Sequence, residues 1–220
     1  MSEIKRIGEA SETASENAVT ELKRLGLETA YGNLNDAATA LRQGVYRWEE
    51  SRPGGRSVIV IAGPTASGKG TLVNKLGFSE KDTLYLGFDR YYLGEEVQRQ
   101  RDGIVNYSIP SALDEERIQL DIKKISEAKE GDRVSVPVYG MVESRRLGEE
   151  DVVVRRRLII EGIYALKQAE IDTPFKLYID APEELLLERK LQRDTGARGV
   201  HEQLVQKRFK QNVAPAIKEY

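Results

Sequence analysis

The sequence has no cysteine and a single histidine, His201. Disulfide bonds and thiolate metal sites are therefore excluded, and so is a metal site built from several histidines. A chain without cysteine suits a reducing compartment, so we expect a cytoplasmic protein.

Long apolar runs are also missing, since no segment approaches the roughly 18 apolar residues that a membrane-spanning helix needs. Residues 1–17 are too acidic and polar for a signal peptide. The 34 basic and 36 acidic residues leave a net charge of −2, so no overall basic field favours nucleic acid. We therefore predict a protein that uses neither a membrane nor nucleic acid, and whose partner is a small molecule.

The 220 residues are enough for one substantial core and an appendage. Apolar residues recur at helical spacing in the first 50 positions, at Val19, Leu22, Leu25, Leu34, Ala37, Ala38, Leu41 and Val45. The sequence SRPGGR at 51–56 then breaks the pattern. This predicts a helical extension with a hinge over 1–55 and a catalytic domain over 56–220. The extension either packs on that domain or mediates self-association into a homo-oligomer.

Runs of apolar residues that suit buried strands begin after the hinge, at 57–62, 83–89, 157–163 and 175–181. Helical patterns at 111–131 and 182–194 lie between or after them. Strands that alternate with helices indicate an α/β fold with a parallel sheet. Residues 132–157 instead alternate in polarity, which predicts an antiparallel hairpin inserted beside the sheet.

A glycine-rich loop stands between the first of these strands and a helical pattern, in the sequence VIVIAGPTASGKGTLVNKL at 58–76. The glycines of such a loop let backbone N–H groups face phosphate oxygens, and its lysine reaches the β- and γ-phosphates. The N-terminus of the following helix favours the same anion. We predict that a nucleotide is bound by Gly63, Pro64, Thr65, Ala66, Ser67, Gly68, Lys69, Gly70, Thr71 and Leu72.

Gly70 stands where such a loop usually carries a serine or threonine whose hydroxyl binds Mg²⁺. We expect Thr71, the next residue, to serve the metal directly or through water. The spelling GKGT also resembles the loop of adenylate kinase and its relatives, which transfer phosphoryl groups. The glycine at position 70 therefore weakens the prediction of a metal ligand in the loop, but not the prediction that the loop binds a nucleotide.

Two carboxylates follow apolar strands, Asp89 after the run at 83–88 and Glu161 after that at 157–160. The carboxyl ends of parallel strands line the ligand crevice. Phosphoryl transfer needs a carboxylate-held metal and a group that orients or deprotonates the acceptor. We predict that Asp89 is the base and a metal partner, and that Glu161 belongs to the metal shell. The alternative is that each carboxylate only caps a strand or helix.

Basic residues crowd the segment 186–200, which we predict to be a lid over the phosphates. Arg189 and Arg193 are assigned to catalysis beside Lys69, and Arg198 to nucleotide binding. The alternative for this segment is a solvated helix face.

Seven segments in this order resemble the uridine kinase and phosphoribulokinase family of P-loop kinases: GPTASGKGT, GFDRYYL, VNYSIPSALDEERI, VPVYGMVESRR, LIIEGIYAL, YIDAPEELLLERKLQRD and KRFKQNVAPAIKEY. The resemblance covers residues 57–220. It implies a P-loop NTPase of three layers, α/β/α, with a substrate-binding hairpin and an arginine-bearing lid. It also implies ATP- and Mg²⁺-dependent phosphorylation of a small molecule's hydroxyl. The family usually has another strand and an adenine-holding loop after the counterpart of Tyr220, so either that part is not in this sequence or the edge of the nucleotide site is built differently.

Within the resemblance, Asp89 matches the catalytic aspartate and Glu161 the glutamate of the EG motif. We assign substrate binding to Tyr91, Tyr107, Tyr139, Arg145 and Arg146, of which Tyr139 is the residue retained from the base-reading segment of uridine kinases.

Several positions depart from uridine kinases where those enzymes hold their substrate. Ser108 replaces the aspartate that binds ribose, and Gly140, Met141 and Ser144 replace the base-reading aspartate, phenylalanine and histidine. Discrimination depends on paired polar groups, so the acceptor can differ. Arg145 and Arg146 then either bind an anionic sugar phosphate or form an exposed basic turn.

Two other functions fit part of the pattern. GKGT suits a nucleoside monophosphate kinase, although the hairpin and the segment LIIEGIYAL argue against it. A non-catalytic nucleotide-binding regulatory module fits Gly70, Ser108 and Ser144, but it would not need both Asp89 and Glu161.

Overall fold

A five-stranded parallel sheet organises the chain in the computed structural model, which describes residues 5–8 and 34–219. The strands are β1 Lys5–Gly8, β2 Ser57–Ala62, β3 Thr83–Gly87, β4 Arg133–Gly140, β5 Arg145–Val153, β6 Arg157–Gly162 and β7 Phe175–Asp180. The sheet order is β1-β7-β2-β6-β3, while β4 and β5 form a separate hairpin. The parallel α/β class predicted from the sequence is confirmed.

The helices are α1 Leu34–Ser51, α2 Lys69–Leu76, α3 Glu95–Asp102, α4 Glu115–Glu127, α5 Ala165–Gln168, α6 Glu183–Gly196, α7 Glu202–Arg208 and α8 Ala214–Glu219. Short 3₁₀ turns occupy Phe88–Tyr91 and Pro110–Ala112, and a π-helical turn, Phe209–Val213, joins α7 to α8. Within the described ranges, no helix has both the length and the apolar character of a membrane span.

The two faces of the sheet are buried by different elements, because successive residues of a strand point to opposite faces. On β2, Ile59 and Ile61 pack in the cluster that contains α1 and α2. Val60 and Ala62 pack in the cluster that contains α4 and the start of the hairpin. The three-layer arrangement expected from the family resemblance is therefore present.

Helix α1 packs directly on the sheet. Ala37, Ala38, Leu41 and Val45 are buried together with residues of β2 and β7, as their helical spacing predicted. Val19, Leu22 and Leu25 lie outside the described residues. The prediction of helix is wrong for Lys5–Gly8, which forms β1 along β7. The unpaired edge of β7 supplies backbone partners there, a tertiary effect that local spacing does not report.

A buried ion pair ties the end of α1 to the beginnings of β2 and β6. Glu49 accepts hydrogen bonds from Arg157 Nε at 2.8 Å and Nη2 at 2.7 Å, and from Ser57 Oγ at 2.5 Å. Arg156 adds a contact at 3.0 Å from its more exposed position. Burial alone would raise the pKa of Glu49, but these hydrogen bonds and the two arginine charges outweigh it, and the pKa is lowered.

The antiparallel hairpin predicted over 132–157 is present as β4 and β5, with its turn at 141–144. Arg117 of α4 fixes the hairpin to the domain, because its guanidinium donates to Asp121, to Glu149 and to the carbonyl of Ser135. The 3₁₀ turn that carries Asp89 also contacts the hairpin, because Arg90 of that turn donates to the carbonyl oxygen of Pro137 at 3.1 Å.

Candidate active site

The glycine-rich loop runs from the end of β2 into α2, as its sequence predicted. Gly63 has φ +146°, and a Cβ there would stand 2.2 Å from the carbonyl oxygen of Ile179. Gly68 caps α2 with φ +106°. Both positions need glycine, since other residues rarely adopt these angles. The loop therefore curls tightly against β7 and presents the N-terminus of α2.

Lys69 is the first residue of α2, and its side chain is 9% exposed. Its ammonium donates to the carbonyl oxygens of Gly63 and Pro64, both at 2.9 Å, and lies 3.6 Å from a carboxylate oxygen of Glu161. The loop lysine and the β6 glutamate predicted to work together are thus adjacent.

Asp89 lies in the 3₁₀ turn that follows β3, and Glu161 lies in the neighbouring strand β6. Asp89 is exposed to solvent, yet the protein around its carboxylate reduces its hydration and raises its pKa. The nearby charge of Glu161 raises that pKa further, and Lys69 opposes the rise. The two carboxylates are close enough to influence each other electrostatically.

The donor atoms of this pair fit Mg²⁺. Magnesium prefers oxygen ligands and is usually held by one or two carboxylates together with phosphate oxygens and water. No group of three or more His, Cys, Asp or Glu side chains able to hold a metal occurs in the described part of the chain. Asp89 and Glu161 would therefore hold the ion jointly with a nucleotide rather than as a protein cage. Thr71 is exposed in the first turn of α2, and Gly70 has open space around it.

Tyr85 also belongs to the candidate site, although no motif in the sequence predicted this. Its hydroxyl donates to Glu161 Oε2 at 2.6 Å, on the carboxylate whose other oxygen faces Lys69. Loss of hydration and the Glu161 charge raise the pKa of Tyr85, so the phenol keeps its proton at neutral pH. A single tyrosine in a strand is typical of packing, which is why sequence reasoning missed this contact.

The segment 186–200 places basic side chains over the glycine-rich loop. An Nη atom of Arg189 lies 3.4 Å from the carbonyl oxygen of Ser67, and one of Arg193 lies 3.5 Å from Thr65 Oγ1. Both residues belong to α6, so one rigid helix positions them.

Asp194 organises these cations. Its buried carboxylate contacts Lys190 Nζ at 2.6 Å, Arg193 Nε at 2.8 Å and Arg198 Nη1 at 3.3 Å. Burial would raise the pKa of Asp194, but the hydrogen bonds from Arg193 and Lys190 outweigh it, and the pKa is lowered. Sequence reasoning named the basic residues of the lid and missed the acid between them.

A cleft adjoins the first residues of the glycine-rich loop. It is lined by Pro64, Thr65, Ser108, Ile163, Tyr178, Val213, Ala216 and Ile217. These side chains are apolar or neutral, and none carries a charge. An apolar lining with a few polar groups is the composition that small-molecule sites share, although the space here, about 270 Å³, is smaller than usual for such sites.

The residues predicted to bind the substrate do not all lie in one place. Tyr107 and Tyr139 are half-buried and meet through their hydroxyls at 3.0 Å. Tyr91 is fully buried and its hydroxyl donates to Asp121, so its ring belongs to the core rather than the cleft. Arg146 is paired with Asp114 at 2.9 Å, and Arg145 is exposed on the hairpin.

Residues 58–220 match the Phosphoribulokinase / Uridine kinase family. A uridine kinase of Borrelia hermsii (strain HS1 / DAH) is 32% identical over 147 residues, which cover 64% of this chain and 69% of that protein. A uridine kinase of Escherichia coli (strain K12) is 28% identical over 173 residues, covering 74% and 80%.

Two solved structures share the fold. A provisionally assigned fructose transport system kinase from Silicibacter sp. TM1040 has a TM-score of 0.66 at 22% identity, covering 82% of this chain and 92% of that chain. A provisionally assigned uridine kinase from Bacillus stearothermophilus has a TM-score of 0.58 at 17% identity, covering 83% and 90%.

Proposed function

Because the chain belongs to the phosphoribulokinase and uridine kinase family of P-loop kinases, we propose that it transfers the γ-phosphoryl group of ATP to a hydroxyl of a small molecule, with Mg²⁺ as cofactor. The observation that carries the proposal is the meeting of Lys69, Glu161 and Asp89 at the mouth of the glycine-rich loop. Phosphoryl transfer requires this combination of a cation, metal-holding carboxylates and an acceptor-side base.

The loop and the lid would bind the phosphates. Backbone N–H groups of the loop and the N-terminus of α2 favour the anion, and Lys69 exchanges its carbonyl partners for phosphate oxygens. Arg189 and Arg193 already lie within 3.5 Å of loop oxygens, so they stand where charge develops during transfer. Mg²⁺, when held by Asp89 and Glu161, would neutralise charge on the phosphates.

Asp89 is proposed to orient the acceptor hydroxyl and to take its proton. Asp89 lies in the 3₁₀ turn after β3, and its carboxylate interacts with the charges of Glu161 and Lys69, so it stands near the proposed phosphate site. Glu161 is held by Lys69 and Tyr85 and is proposed to take a metal-shell role instead.

A neutral acceptor, such as a nucleoside or sugar, is favoured over a sugar phosphate. The side chains that line the cleft beside Thr65 and Ser108 are uncharged, and Arg193, which reaches Thr65 Oγ1, is assigned to the nucleotide's phosphates, so a second phosphate would lose hydration there without a cation of its own. Arg146, one of the two hairpin arginines proposed for a sugar phosphate, is already paired with Asp114. The same reasoning disfavours a nucleoside monophosphate as acceptor.

The test is a coupled ADP-release assay with MgATP against nucleosides, sugars, sugar phosphates and nucleoside monophosphates, with Lys69→Ala as the control. A neutral acceptor that raises turnover above the control is the expected result. Nucleotide binding without stimulation by any acceptor would favour a regulatory nucleotide-binding module, to which Gly70 gives some support.

A further inference from the structure

The Tyr85–Glu161 hydrogen bond depends on how strands β3 and β6 are paired. Tyr85 and Gly87 lie on the same face of β3, and Gly87 is the register partner of Glu161 on β6. A Cβ on Gly87 would stand 3.2 Å from the hydroxyl of Tyr85. The ring therefore lies over the bare backbone of Gly87, and this lets its hydroxyl reach across to Glu161 Oε2 at 2.6 Å.

On the side of the site formed by the glycine-rich loop, a metal-binding hydroxyl is missing. The hydroxyl that commonly follows the loop lysine and ligates magnesium is missing at Gly70. A Cβ at Gly70 would meet nothing within 4 Å, so crowding by the described residues does not explain the glycine.

We propose that Tyr85 is a positioning residue for metal binding, which fixes Glu161 and so offsets the hydroxyl missing at Gly70. This inference rests on the proposed function, because it concerns the same metal–nucleotide site. Tyr85 would not ligate the ion. Its hydroxyl holds one oxygen of Glu161 while Lys69 lies near the other, so the carboxylate stays oriented towards the phosphates. Groups that orient a ligand in this way commonly change metal affinity by about 10–100-fold when removed.

The experiment measures ADP affinity by titration calorimetry at stepped Mg²⁺ concentrations, and without metal in EDTA. Tyr85→Phe removes only the hydroxyl. Tyr46→Phe is the matched control, because Tyr46 is similarly exposed and packs its ring edge-on against Phe78. Gly70→Ser and Gly70→Ala are then added to Tyr85→Phe, and only the first restores a hydroxyl.

We expect Tyr85→Phe to need about tenfold more Mg²⁺ for half-maximal tightening of ADP binding. Its metal-free ADP affinity should stay unchanged, as should both quantities in Tyr46→Phe. Added to Tyr85→Phe, Gly70→Ser should lower the Mg²⁺ requirement towards the native value, and Gly70→Ala should leave it raised.

An unchanged Mg²⁺ requirement in Tyr85→Phe would overturn the proposal. An equal loss of metal-free and metal-dependent affinity would also overturn it, since that indicates a structural role alone. If Gly70→Ala lowered the Mg²⁺ requirement of Tyr85→Phe as much as Gly70→Ser does, the missing hydroxyl would not be the cause, and the proposal would be wrong on that point. If the native protein bound no ADP with or without metal, the proposed function itself would fail, which is a distinguishable outcome.

Discussion

Lys69 and Glu161 lie 3.6 Å apart, one from the first turn of α2 and the other from β6. Both side chains are mostly buried, and a buried charge without a partner would destabilise the fold. Each of the two charges therefore stabilises the other. Lys69 also donates to two carbonyls of its own loop. The phosphate-binding loop is therefore held in its curled form by the residue that is proposed to bind the phosphates.

Lys69→Ala should weaken ATP binding by about 10–100-fold, because a hydrogen-bonded charge contributes about 1.5–3 kcal/mol. Calorimetric titration with ATP measures this. Lys69→Arg is the companion variant that keeps the charge, and it should retain more affinity. A Lys69→Ala protein that folds and binds ATP with native affinity would contradict the role of the lysine.

Asp194→Asn should lower turnover on the order of 100-fold, since displacement of catalytic groups by about 1 Å has that effect. The substitution removes the charge that holds Lys190, Arg193 and Arg198 together. Turnover is measured at saturating MgATP. Glu188→Gln is the control, because Glu188 is an exposed acid on the same helix. Equal turnover of the two variants would remove Asp194 from lid positioning.

Glu49→Ala should reduce the free energy of unfolding by about 3–5 kcal/mol, because it leaves Arg157 buried without its partner. Denaturant unfolding measures the change, and Glu50→Ala is the exposed neighbouring control. The folded-state pKa of Glu49 is lowered, so its contribution is present above the ordinary glutamate pKa and is lost as pH falls through the lowered value.

The difference between native protein and Glu49→Gln should accordingly shrink as the solution is acidified. A difference that stays constant with pH would contradict the lowered pKa of Glu49.

Local sequence was sufficient for the features that short-range chemistry dictates. The glycine-rich loop, the helix after it and the acids that follow β3 and lie in β6 could all be located, because their glycines and strand ends are adjacent in the chain. Tyr85 and Asp194 could not, since their importance comes from Glu161 and from cations that folding brings close. Strand β1 was missed for the same reason, because its partner β7 is distant in sequence.

Arg146→Ala should leave the KM for a neutral acceptor within about fivefold of the native value, as expected for a half-exposed ion pair. Arg146 contacts Asp114 and does not line the cleft. Steady-state kinetics with the acceptor found in the panel provide the measurement. A much larger rise in KM, seen with a phosphorylated acceptor, would instead support an anionic substrate.

The most direct test of phosphoryl transfer compares the native protein with Asp89→Asn, using ATP labelled in its γ-phosphoryl group and the acceptor that stimulates turnover. The native protein should move the label to the acceptor. Asp89→Asn should bind ATP with nearly native affinity and transfer on the order of 100-fold less, because the proposed base is lost. Label transfer at the native rate by Asp89→Asn, or none by the native protein with any acceptor, would contradict the account.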